Sequence, residues 1–216
     1  MEPFPDVGYL LFVICHLPFV IHRAMTAANK ITLARIGLIP AFVWLAWAYG
    51  RSFADGQPIE PYRFAAIAIF LIAACMDGLD GFVARQFHQQ SRLGAILDPI
   101  ADKGLVAAAL LVLALSGWPH SLPFWFPCAV IGRDVVLAIG FTALTRLIDQ
   151  VDIHPSPIGK IATVFQLTSI LWVLFRIPLF LDAMVFIAAS LTLISGTGYV
   201  LDGIRQLRAS SVRSER

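Results

Sequence analysis

The sequence predicts an all-α integral membrane fold: a six-transmembrane-helix bundle preceded by a short N-terminal interfacial helix. Two observations set the class. Of the 216 residues, 58% are hydrophobic and only 14% are charged, and the mean hydropathy of +0.78 is above what a water-soluble domain carries. A third sets the layout, because apolar stretches of about 20 residues recur along the chain, the length a helix needs to cross a hydrocarbon core.

The stretch 9–22 is apolar, but it is short and Pro18 interrupts it, so it reads as an interfacial or re-entrant helix within an N-terminal segment 1–30. The bundle follows over 31–207, and 208–216 form a polar tail. The first span runs from Ile31 to Tyr49, where Gly50 and the polar stretch to Pro61 end it. A second starts near Arg63 and continues through Asp77, Gly78, Asp80 and Gly81 to Arg85. A short loop from Gln86 to Arg92 leads to a third span, Gly94 to Ser116, and Gly117 to Ser121 form a turn. Leu122 to Leu144, Ile158 to Phe175 and Leu179 to Leu201 complete the set, with Pro178 placed to begin the last.

The basic residues orient this bundle. With both termini cytoplasmic, Arg23, Lys30, Arg35, Arg85, Arg92, Arg146, Lys160, Arg205, Arg208, Arg213 and Arg216 lie inside, against Arg51, Arg63 and Arg176 outside. The net charge of +2 is mild and scattered between apolar runs, which argues against nucleic-acid binding and for a lipid bilayer as partner. Cys15, Cys75 and Cys128 have neither disulfide nor zinc spacing. The N-terminus lacks the basic start and cleavage site of a signal peptide. The five histidines show no ligand spacing, and Trp118 and Trp125, near span ends, read as an aromatic belt.

Chemistry concentrates in DGLDGFVARQFHQQSRLGAILDPIADK, from Asp77 to Lys103. Asp77 and Asp80 are three residues apart and Asp98 and Asp102 four apart, so each pair projects from one face of its helix. The short loop makes the two helices antiparallel, which brings the four carboxylates together at the cytoplasmic end. Such like charges at a bilayer edge require cations or protons. Oxygen ligands with no His or Cys among them suit Mg²⁺, Mn²⁺ or Ca²⁺, and a pair of such ions can clamp a diphosphate during in-line displacement. Gly78, Gly81 and Gly94 leave room for close approach, and Arg85 supplies a planar donor fork for phosphate oxygens.

Asp77, Asp80, Gly81, Ala84, Arg85, Gly94, Asp98 and Asp102 match D-x-x-D-G-x-x-A-R-x8-G-x3-D-x3-D at every fixed position. This pattern resembles the signature of the CDP-alcohol phosphatidyltransferase family. The segment NKITLAR, with Asn29, Thr32 and Arg35, resembles that family's N-x-x-T-x-x-R element. The resemblance implies two divalent cations, Mg²⁺ or Mn²⁺, held by Asp77, Asp80, Asp98 and Asp102, with Asp102 also the general base on the acceptor hydroxyl. It implies that Asn29, Thr32, Gly81, Ala84, Arg85 and Gly94 hold the CDP moiety of CDP-diacylglycerol. It further implies phospholipid synthesis in a bacterial inner membrane, where the bias of basic residues sets the active site near the cytoplasmic face, and it is compatible with a homodimer.

Arg133 and Asp134 lie inside the fourth apolar span and Lys160 opens the fifth, and intramembrane charge points to function by default. By resemblance, Arg133, Lys160 and Arg35 are candidates to hold an acceptor's phosphate. Arg133 with Asp134 also reads as a structural ion pair, and Lys160 as a snorkelling residue. Length, NKITLAR, LDPIADK and SPIGK look most like the glycerol-3-phosphate branch, whereas GRDVVL resembles the CMP-forming cardiolipin synthases, whose acceptor is phosphatidylglycerol. The competing reading from another class is an ion-coupled transporter with an acidic relay; it does not need the glycine and arginine spacing.

Overall fold

A computed structural model describes residues 27–87, 92–147 and 156–214, without the side chains of 27–31, 77–100, Asp102, Leu147 and 208–214. The interfacial helix expected over 9–22 lies outside the described residues. Those described form six α-helices and no strand: α1 (Ala27–Ala54), α2 (Glu60–Phe87), α3 (Arg92–Leu115), α4 (Trp125–Leu147), α5 (Pro157–Leu174) and α6 (Leu181–Ser214). In lipid, only a helix or a closed barrel satisfies its own backbone hydrogen bonds.

Among the described residues four helices are long and apolar enough to span a bilayer: Thr32–Ala54, Trp125–Arg146, Pro157–Leu174 and Leu181–Leu207. Their outward faces carry Trp44, Val136, Ile139, Phe186 and Leu193, each more than half exposed, and such surface is stable only against lipid tails. The chain is therefore an integral membrane protein.

α1 packs against both α2 and α3, while α6 packs against α4 and α5. The two groups meet where α3 touches α4 and α5 and where α2 touches α5. Small residues make the first crossing tight, since Ala46, Ala66, Ala73 and Ala109 are all fully buried, as expected where packing rather than water exclusion drives association. Phe42 and Phe70 fill the space beside them, ring centroids 5.5 Å apart. A buried polar pair ties α5 to α6: Gln166 Nε2 donates to Thr192 Oγ1 at 2.8 Å, and that hydroxyl donates to the Ala188 carbonyl at 2.6 Å.

Several boundaries differ from expectation. α1 runs through Gly50 to Ala54 because the glycine is a contact point, not a stop; a Cβ there would land on the Ser116 carbonyl oxygen. α2 continues through Asp77 and Asp80 as expected, and ends at Phe87, two residues past Arg85. α6 begins at Leu181 rather than Leu179, because Phe180 takes a left-handed φ of 61° and the Leu179 carbonyl accepts from Trp172 Nε1 at 2.9 Å. Its far end continues as helix to Ser214, so the polar tail is helical over 208–214. Trp118 is not a belt residue. It is 3% exposed, donates from Nε1 to the Ala46 carbonyl at 2.8 Å and packs on Tyr49 with centroids 4.5 Å apart.

Candidate functional site

The backbone sets Asp77, Asp80, Gly81, Ala84 and Arg85 on the last turns of α2, and Gly94, Asp98 and Asp102 on the first turns of α3. Their side chains lie outside the described residues, as does that of Asn29, on the first turn of α1. Among the described residues no group of three or more His, Cys, Asp or Glu is placed to hold a metal. The donor chemistry of the two helix ends nevertheless fits divalent cations, because only carboxylates stand at the four acidic positions.

α1 packs most extensively on both aspartate helices, and two of its polar residues face inward. Thr32 and Arg35 are each 1% exposed, an unusual place for a guanidinium, which in an apolar bundle demands acceptors around it.

The second set of expected residues is described in atomic detail. Arg133, on α4, is only 15% exposed at its side chain. Its Nη1 donates to Asp134 Oδ1 at 2.7 Å and its Nη2 to Ser195 Oγ, on α6, at 3.0 Å. The guanidinium carbon stands 5.8 Å from the centre of the Tyr199 ring. Two glycines let the side chain pass: a Cβ on Gly159 would lie 3.4 Å from Nη2, and one on Gly196 would lie 3.0 Å from Arg133 Cγ. Nε is buried with no hydrogen-bond partner.

Asp134 also faces α3, where Lys103 Nζ lies 3.2 Å from its Oδ2. Arg133, Asp134 and Lys103 thus form one charged group across α3 and α4, tethered to α6 through Ser195 and next in sequence to Asp102. Pro157 at the first position starts α5, and Ser156 caps it by accepting from the Gly159 N–H at 3.4 Å. The Ser156 N–H donates to the Tyr199 hydroxyl at 2.7 Å, which fixes the start of α5 beside Arg133. Lys160, on that first turn, is exposed. Arg35 stands apart on α1, whose main packing partners are α2 and α3.

The expected Arg133–Asp134 ion pair is present, although the pair also meets Lys103 and Ser195. Sequence reasoning did not single out Ser195, Tyr199, Gly159 or Gly196. The available signal was the polar interruption S-G-T-G-Y inside an otherwise apolar span.

Comparison with known proteins bears on this arrangement. The CDP-alcohol phosphatidyltransferase family pattern matches residues 25–195, which takes in the helices carrying the aspartates, Arg133 and Lys160. A curated relative from Escherichia coli (strain K12), named CDP-diacylglycerol–glycerol-3-phosphate 3-phosphatidyltransferase, is 34% identical over 176 residues, covering 79% of this chain and 90% of its own length. A relative of the same name from Shigella flexneri serotype 5b (strain 8401) matches with the same identity and coverage. With the motif on α2 and α3 and most of the chain matched, this protein belongs to the CDP-alcohol phosphatidyltransferase family.

Proposed function

We propose that this enzyme transfers the phosphatidyl group of CDP-diacylglycerol to glycerol-3-phosphate and releases CMP. The observation that carries the reading is the complete set of aspartates on the last turns of α2 and the first turns of α3, in a chain similar over most of its length to relatives with that name.

Asp77, Asp80, Asp98 and Asp102 would hold two divalent cations, Mg²⁺ or Mn²⁺, whose charge offsets that of the diphosphate. Asn29, Thr32, Gly81, Ala84, Arg85 and Gly94 hold the CDP moiety. Asp102 takes the proton of the acceptor hydroxyl as its oxygen attacks the phosphorus bearing the diacylglycerol. A new P–O bond forms there, the bond to the CMP phosphate oxygen breaks, and CMP departs with that electron pair. Arg133, Lys160 and Arg35 supply positive charge for the acceptor's phosphate, which favours glycerol-3-phosphate over an uncharged alcohol.

With α2 and α3 counted, the bundle has six spans, and the aspartates face the cytoplasm of a bacterial inner membrane. A homodimer is the assembly to look for in detergent. The GRDVVL segment around Arg133 keeps phosphatidylglycerol as the second acceptor to examine.

The test is CMP release by purified protein given CDP-diacylglycerol, Mg²⁺ or Mn²⁺, and separately glycerol-3-phosphate, phosphatidylglycerol or glycerol. Turnover with glycerol-3-phosphate is expected. Turnover with phosphatidylglycerol alone would move the enzyme to the other branch, and no CMP from any acceptor refutes the reading.

A further inference from the structure

The Arg133 side chain is held from several sides in a manner that ion pairing alone does not require. Asp134 occupies Nη1 and Ser195 occupies Nη2, while Gly159 and Gly196 admit the side chain between α5 and α6. A guanidinium has five N–H donors. One hydrogen on each Nη is used and Nε is buried, so the second hydrogen of each Nη is left for an incoming anion, in a fixed direction.

We infer that Asp134 and Ser195 are positioning residues for the acceptor, acting through Arg133: the two tethers aim its remaining donors at the acceptor's phosphate. Asp134, through its contact with Lys103 at 3.2 Å, also ties this arginine to the helix that carries Asp102. This rests on the acceptor-phosphate role proposed above for Arg133. The phosphate is thereby set at a defined place relative to the residue that takes the hydroxyl proton. An acceptor held by phosphate at one end and deprotonated at the other needs such a fixed relation, because displacement by about 1 Å costs on the order of 100-fold in rate.

The sign of one substitution separates positioning from simple charge. Asp134 is an anion beside an anion-binding arginine, so on charge alone Asp134→Asn removes repulsion and lowers the acceptor KM. Positioning predicts the opposite, because the neutral amide weakens the holds on Arg133 and Lys103.

The experiment measures KM for glycerol-3-phosphate and for CDP-diacylglycerol in wild type, Asp134→Asn, Asp134→Glu and Ser195→Ala. A turnover-free measurement accompanies it: the rise in thermal unfolding midpoint on adding glycerol-3-phosphate, with glycerol as control. We expect the acceptor KM to rise about tenfold in Asp134→Asn and Ser195→Ala, the CDP-diacylglycerol KM to change less than about twofold, and Asp134→Glu to recover part of the loss. The stabilisation by glycerol-3-phosphate should shrink in parallel.

An acceptor KM that is unchanged or lower in both Asp134→Asn and Ser195→Ala, or two KM values that rise together, overturns the inference while leaving the proposed reaction intact. If wild type turns over only phosphatidylglycerol, the glycerol-3-phosphate reading fails, and the same comparison on phosphatidylglycerol decides the positioning role. A wild type that neither turns over nor is stabilised by any acceptor sinks both.

Discussion

Glu60 Oε1 accepts from Arg176 Nη1 at 2.8 Å, joining the first turn of α2 to the turn that follows α5. The other carboxylate oxygen accepts from Arg63 Nε at 2.7 Å, and the Arg176 guanidinium lies 5.5 Å from the Phe53 ring centre at the end of α1. Three helix ends are therefore gathered opposite the aspartate ends of α2 and α3. Arg63 and Arg176 are two of the residues that the charge bias assigns to the outer side, and they share this one carboxylate.

Replacing Glu60 by Gln should lower stability by about 1 kcal/mol, the upper range for partly exposed ion pairs. For a chain of this size that is a fall of roughly 2–4 °C in the unfolding midpoint. KM values should not move, since the site is at the other end of the helices. A midpoint equal to wild type would show that the paired arginines contribute nothing.

Gly50→Ala should be far more damaging than its small size suggests. The added methyl would lie 2.7 Å from Ser116 Oγ and 2.8 Å from the Ser116 carbonyl carbon, so α1 and the end of α3 must separate, at a cost of about 1–3 kcal/mol. Gly37 on the same helix has nothing within 4 Å of an added Cβ, and Gly37→Ala is the matched control. Equal unfolding midpoints for the two variants would refute the close contact.

The Gln166–Thr192 pair offers a double-mutant cycle. Thr192→Ala strands the buried Gln166 amide and should cost about 1–3 kcal/mol, whereas replacing both residues by Leu and Val should restore much of the loss. Additive losses would mean that the hydrogen bond at 2.8 Å carries no coupling.

For the reaction, Asp102→Asn should lower kcat about 10²–10⁴-fold, the usual range for losing a general base. Chelation of divalent cations by EDTA should stop CMP release, and Mg²⁺ or Mn²⁺ should restore it. Full activity of Asp102→Asn would remove that residue from the proton transfer.

Composition and local spacing determined much of this protein. Hydropathy alone placed it in a membrane, because the cost of exposing so many Leu, Ile, Val and Phe side chains to water is additive over the chain and does not depend on how helices meet. The aspartate spacing was equally legible, since helical periodicity places residues three and four apart on one face whatever surrounds them. The Arg133–Asp134 pair could be read too, being adjacent in sequence.

What only the tertiary structure decided are relations between distant segments. Gly50 reads locally as a helix end, yet it lies within α1 because Ser116 presses against it. Trp118 reads as an interface anchor, yet the Ala46 carbonyl and the Tyr49 ring hold it in the core. Ser195 and Gly159 carry at most a polar or small-residue interruption as a local mark, and they matter because α4, α5 and α6 bring them to Arg133. The physical reason is the same each time: in lipid every face of these helices is apolar enough to pack, so the choice of neighbour depends on side-chain shape and hydrogen-bond partners far along the chain.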